Sequence, residues 1–259
     1  MPAELKSSSQ GHTLVLTISN PEHRNAGSPE VYAAGVEALS VAETSPDVRA
    51  IIITGEGSTF CAGGQLQRLQ ANRQLAPSVQ AEALESLHAW VEAIRTCPKP
   101  VIAAVEGAAA GAGFSLALAC DFLVAAENAV FVMAYATVGI SPDAGGSWSL
   151  GRALPRALAS ELLMMGERID APRLQALGVA NRVTPPGQAL GEALALAERL
   201  QTKAPNALAS IKELLNEATV SDLHSHLTRE RDHFVRNLHH RNAGIAIDAF
   251  LNKQTARFE

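Results

Sequence analysis

The chain has 259 residues, of which 47% are hydrophobic, and a formal net charge of −5. That length fits one large domain, or one domain with a smaller appendage, and the apolar content is ample for a sizeable core, which excludes a disordered chain. The acidic balance argues against broad binding to nucleic acid or anionic membranes, but leaves room for an anionic small molecule held by local positive groups.

In chain order, residues 12–18 (HTLVLTI) read as a strand, and Asn20-Pro21 opens a loop. Ser28 is a good N-cap and Pro29 a good first helical residue for a helix over 31–42. Pro46-Asp47 breaks it, and 49–54 (RAIIIT) is a buried-type strand. A turn at 55–57 leads into the glycine-rich FCAGGQL. Residues 67–80 are polar and weakly patterned and read as a mobile segment, and 82–95 form an amphipathic helix carrying His88 and Trp90.

The stretch VIAAVEGAAAGAGFSLALACD then passes from a strand at 101–105, through a small-residue turn at 107–113, into a helix over 112–120. Glycine and alanine there let another backbone or a ligand come close. A helix start leaves amide N–H groups unpaired and adds partial positive charge, which suits an oxygen that is or becomes negative. Close helix–strand packing in an ordinary α/β core explains the same residues equally well. Leu116 stands where a dinucleotide-binding fingerprint wants its third glycine. Glu106 and the glycines also rule the stretch out as a membrane span.

FLVAA at 122–126 is another strand, followed by a short one at 130–133. A loop at 139–146 (GISPDAGG) precedes a helix through Trp148 and Leu150. Residues 157–165 and 169–177 read as helical, 179–183 as a strand, and 188–202, 206–218, 221–239 and 242–253 as helices. Alternating strands and helices followed by helices alone predict an α/β core over 1–195 and a helical C-terminal region over 196–259.

No apolar leader run occurs in MPAELKSSSQGHT, and the three cysteines form no CxxC pair, so a cytoplasmic protein with reduced thiols is expected. His226, His233 and His240 recur every seven residues, with His224 and His239 beside them. Ligands on one helix would lie about 10 Å apart along its axis at that spacing, so a polar stripe is expected there and no metal site.

Two glycine-rich turns, FCAGGQL and GAAAGAGFSLALACD, each follow an apolar strand, with PDAGGS further on and FLNK near the end. In order and spacing these motifs resemble the enoyl-CoA hydratase/isomerase (crotonase) superfamily over nearly the whole chain. The resemblance implies a spiral of ββα units with a helical trimerisation region, trimers often paired as hexamers, and a coenzyme A thioester as substrate with no separate cofactor. It implies that the Gly64 and Ala112 amides hold the thioester oxygen. It also places the coenzyme against Arg24, Asn25 and Ala26 and against Ala62, Gln65 and Leu66, with Phe250 and Lys253 reaching it from a neighbouring subunit. Gly27 departs from the larger apolar residue common in the family.

Family hydratases use two glutamates, and the matching positions here are Ser115 and Tyr135. One acid remains well placed by the resemblance, Asp143, although Pro-Asp-x-Gly is also an ordinary turn sequence. A single carboxylate suits a 1,3-proton shift, in which the same group removes and returns the proton. VFVMAYATVGISPDAGGSW resembles the ring-epoxide isomerases of phenylacetyl-CoA breakdown and their double-bond-shifting relatives. An acyl-CoA isomerase with Asp143 as proton shuttle is therefore expected, and Ser115 and Tyr135 are expected to wall the site. Leu66, Leu69, Leu87, Trp90, Phe114 and Trp148 are further candidate walls. Three alternatives stay open: a hydratase with atypical residues, an aryl-CoA dehalogenase or hydrolase using Asp143 with His88, and a non-catalytic acyl-CoA binder.

Overall fold

The computed structural model describes residues 3–258. Its strands are β1 (Glu4–Gln10), β2 (Thr13–Ser19), β3 (Ala50–Gly55), β4 (Val101–Val105), β5 (Ala108–Ala110), β6 (Phe122–Ala126), β7 (Val130–Val132), β8 (Arg168–Asp170) and β9 (Arg182–Thr184). The helices are α1 (Pro29–Thr44), α2 (Leu66–Asn72), α3 (Pro77–Thr96), α4 (Ala112–Ala119), α5 (Gly146–Ala153), α6 (Arg156–Ser160), α7 (Ala171–Ala176), α8 (Ala189–Gln201), α9 (Pro205–Ala218), α10 (Leu223–Leu238) and α11 (Arg241–Leu251).

The main sheet runs β1-β2-β3-β4-β6-β9, antiparallel only between β1 and β2. Its central strands read as unbroken apolar runs because both faces are covered. On one face Leu16, Ile51, Ile53, Ala103 and Val105 join the main core, which α1 and α3 close with Leu39, Trp90 and Ile94. Gly35 of α1 carries no side chain, and the Trp90 ring occupies that space. On the other face Ala189, Ala193, Leu196 and Ala197 of α8 pack on Val15, Ile52, Ile102 and Val124. The 195/196 division therefore falls inside α8, a helix that belongs with the sheet. A smaller sheet, β5-β7-β8, is parallel between β5 and β7 and antiparallel between β7 and β8.

Four segments differ from the sequence expectation. β1 was not anticipated: its serines give no apolar signal, and it lies exposed at the sheet edge. Residues 67–80 are ordered as α2 and the beginning of α3, with Asn72 Nδ2 donating to Gln80 Oε1 at 2.8 Å. The turn at 107–113 contains β5, and the expected helix over 169–177 begins as β8 before Asp170 caps α7 by accepting the Arg173 amide at 2.8 Å. Residues 157–165 are helical as expected, α6 passing into a π-helical turn at Glu161–Met165.

Lys212 is one of the side chains that tie the C-terminal helices to the core. Lys212 Nζ on α9 donates to Asp121 Oδ2 at 2.7 Å and to the Ile94 carbonyl at 2.8 Å. Asp121 also accepts the Val101 amide at 2.8 Å, so the foot of β4 and α9 share one carboxylate. Beyond that anchor, α9–α11 expose Ile211, Leu215, Leu227, Phe234 and Phe250. Among the described residues no helix is long and apolar enough to cross a membrane.

Candidate active site

The two glycine-rich turns lie side by side because their backbones bond directly. The Phe60 and Cys61 amides both donate to the Ala108 carbonyl at 3.1 Å, and the Ala110 amide returns a bond to the Cys61 carbonyl at 2.9 Å. So close an approach leaves no room for side chains. Gly63 has φ +86°, and a Cβ there would lie 2.6 Å from the Ala110 carbonyl oxygen; one on Gly113 would strike the Cys61 backbone. We expect Gly63→Ala to lower folding stability by about 1–3 kcal/mol, through the left-handed backbone and the carbonyl contact together, as a drop in the thermal unfolding midpoint.

This pairing leaves two donors over. Gly64 and Ala112 both line one cavity, and neither backbone amide donates to a protein atom among the described residues. Ala112 is the first residue of α4, where a helix has amides without internal acceptors and a partial positive charge. The loop at 24–27 joins the same structure: the Ala62 amide donates to the Arg24 carbonyl at 3.0 Å, and the Gly27 amide to the Gly63 carbonyl at 2.9 Å.

Asp143 enters the cavity from the loop before α5. Its Oδ1 accepts the Tyr135 hydroxyl at 2.5 Å. Its carbonyl accepts the Ser115 hydroxyl at 3.1 Å and the Gly146 amide at 3.0 Å. The next residue, Ala144, is buried with φ +50°, a conformation unusual for a residue with a side chain, so its surroundings fix the loop's shape. Burial pushes the Asp143 carboxyl above the usual carboxylate range, while the Tyr135 hydrogen bond and the nearby His88 pull it partly back. Burial also raises the Tyr135 phenol, which stays a protonated donor. Ser115 is fully buried and also donates to the Gly111 carbonyl at 3.3 Å.

The cavity holds about 410 Å³. Asp143, Gly64, Ala112, Ala62, Leu66, Tyr135, Leu69 and Leu87 all line it. Ser115 sits behind the wall, bonded to the Asp143 backbone. Three expected walls lie elsewhere. Trp90 is sealed in the core against Tyr32 and Gly35, and Phe114 packs on Phe131 with ring centroids 4.9 Å apart. Trp148 faces a separate cleft between Arg95 and Arg152, whose guanidinium carbons lie 5.1 and 4.1 Å from its ring. In each case spacing gave the helix but not which side of it faces the site.

Asn25 is buried and braces its loop, donating to the carbonyls of Glu56 and Thr59 at 2.9 and 2.7 Å. Arg24 is exposed, Ala26 is buried, and Gln65 lies beside the cavity without lining it. Phe250 and Lys253 are exposed at the end of α11, away from this cavity's wall. On α10, His226 lies 3.6 Å from the Glu230 carboxylate and His233 lies 3.6 Å from that of Glu213 and 2.7 Å from the Arg236 guanidinium. All three cysteines are free, and burial pushes the Cys61 thiol up to about 11, so it stays a protonated thiol at neutral pH.

Sequence reasoning missed four polar residues of the wall: Tyr32, Arg68, Gln80 and Ser141. Tyr32 was legible only as one apolar position of α1. Its ring fills the space a side chain at residue 27 would need, since a Cβ on Gly27 would lie 2.5 Å from it, which accounts for glycine at that position.

A family profile described as Enoyl-CoA hydratase/isomerase matches residues 9–259. The chain is 34% identical over 248 residues to 1,2-epoxyphenylacetyl-CoA isomerase of Escherichia coli, covering 95% of this chain and 94% of that one. It is 36% identical over 257 residues to 2,3-dehydroadipyl-CoA hydratase of the same organism, covering 99% of both. A crystal structure of an enoyl-CoA hydratase from Polaromonas sp. JS666 superimposes with a TM-score of 0.98 at 67% identity, covering 99% of this chain and 100% of that one.

Proposed function

We propose, for a chain that belongs to the enoyl-CoA hydratase/isomerase family, that it is an acyl-CoA isomerase working through a single carboxylate. The observation that carries this reading is the acid content of the cavity: among the described residues, Asp143 is the one carboxylate on its wall. Addition of water in this family is expected to need a second acid. Ser115 and Tyr135 occupy the positions where it would stand, and both are engaged with Asp143.

In this reading the thioester carbonyl oxygen sits between the Gly64 and Ala112 amides. Ionised Asp143 removes a proton from a carbon made acidic by the thioester. The resulting negative charge moves onto the carbonyl oxygen, where two main-chain donors hold it without rearranging. Protonated Asp143 then delivers the proton to a second carbon, and the double bond has shifted. The same oxyanion site serves rearrangement of a ring epoxide conjugated to the thioester. Burial of Asp143 favours the proton transfer, because it lifts the carboxyl toward the pH at which the enzyme would work. The family names among the relatives are divided between hydratase and isomerase.

The coenzyme itself is proposed to run along the paired loops at 24–26 and 62–66, as part of the substrate with no further cofactor. The apolar residues that α9–α11 leave exposed support burial between copies of this chain in a homotrimer or hexamer, which would bring Phe250 and Lys253 to a neighbour's coenzyme.

Mass-resolved product analysis on a panel of enoyl- and arylacetyl-CoA esters tests the reaction class. Unchanged mass with altered absorbance is the expected result. Gain of water would replace this reading with hydration. Halide release from a halobenzoyl-CoA would favour Asp143 as a nucleophile, assisted by His88.

A further inference from the structure

The acyl cavity is apolar around most of its wall, with Leu66, Leu69, Leu84 and Leu87 on the α2–α3 side and Val138 and Ile140 opposite. Its polar groups are mostly satisfied internally: Tyr135 with Asp143, and Gln80 with Asn72. Arg68 is different. It lines the cavity half-buried, its Nη2 donates to the Gly27 carbonyl at 3.2 Å, and among the described residues it forms no ion pair. The Tyr32 hydroxyl is hydrogen-bonded to it, and burial keeps that phenol protonated. The cavity wall therefore presents a guanidinium and a phenol bonded to each other, with the Gly27 carbonyl as the guanidinium's other named acceptor. The planar guanidinium fork is suited to a carboxylate, and the exposed Glu30 on α1 reaches it only through its charge, with no ion pair between them.

We propose that Arg68, with Tyr32 beside it, forms a subsite for an anionic group at the far end of the acyl chain, so that the preferred substrates are CoA esters of dicarboxylic acids. This rests on the reading of the cavity as an acyl-CoA site. A phosphate of the coenzyme offers the same chemistry, and the test separates the two sources.

Saturated esters bind without reacting, so calorimetric titration reads recognition alone. The probes are adipyl-CoA against hexanoyl-CoA, suberyl-CoA against octanoyl-CoA, and free coenzyme A, each with the wild type and with Arg68→Gln. At one chain length or the other, the wild type should prefer the carboxylate-bearing ester by about 10- to 100-fold, the range for one charge-assisted pair. Arg68→Gln should abolish that preference, with the monocarboxylic esters and free coenzyme A held within about threefold of wild type. Equal affinity of the wild type for both kinds of ester overturns the proposal. So does a uniform loss across all probes in Arg68→Gln, which would give the guanidinium to the coenzyme's phosphates or to the loop at 24–27. Failure of the wild type to bind any ester would instead overturn the acyl-CoA reading, and this subsite with it.

Discussion

Asp143→Asn is expected to lower kcat for the isomerised ester by about a thousandfold or more, with the Kd for the same ester changed only a few-fold. The substitution keeps the side chain's shape and an oxygen able to accept the Tyr135 hydroxyl, but removes the basic site. If the carboxylate carries the proton, the loss falls on the chemical step and not on binding. Steady-state kinetics paired with direct titration of a non-reacting ester separates the two. Deuterium incorporation from heavy water into the substrate carbons, followed by NMR, should disappear in the same variant. Wild-type turnover by Asp143→Asn would remove Asp143 from the mechanism.

Tyr135→Phe should leave saturating turnover at high pH near the wild-type level and depress it at low pH. The active form of the proposed base is ionised, so rate is lost as pH falls through its pKa. Burial raises that pKa; the Tyr135 hydroxyl and His88 oppose the rise. Tyr32, across the cavity on α1, also feels the Asp143 charge, and Arg68 on α2 lies next to Tyr32. Removing the Tyr135 hydroxyl takes away one group that favours the carboxylate, so the acid limb of the pH–rate profile moves to higher pH. Below that limb the variant should be slower by about 10- to 100-fold, the worth of one hydrogen bond to a charged acceptor. A phenol that only filled space would lower the whole profile by one factor, or change KM instead. A superimposable limb would refute the tuning role.

The parts of this molecule legible in its sequence are those where local chemistry leaves one choice. Ser28-Pro29 starts α1 as read, with the Ser28 hydroxyl accepting the Val31 amide at 3.4 Å. The strand–turn–helix around 101–120 follows from apolar runs that only a doubly covered strand tolerates and from small residues that only a close backbone contact explains. α2 was not legible, because LQRLQAN has no apolar stripe; contacts with α3 and the Arg68 bond to Gly27 hold it. Missing α2 meant missing Arg68. The Tyr135–Asp143 hydrogen bond depends on a chain reversal through Gly139 at φ +76°, and pairing across such a bend follows from tertiary structure, not from spacing.

The burial of Ser115 limits what could stand in its place. Its hydroxyl is enclosed by the carbonyls of Gly111 and Asp143, and a methyl group on Gly146 would already collide with it. A longer acidic side chain installed there would meet two oxygens of like partial charge and the first turn of α5. Ser115→Glu alone is therefore expected to destabilise the fold unless residue 146 and the Asp143 loop give way with it.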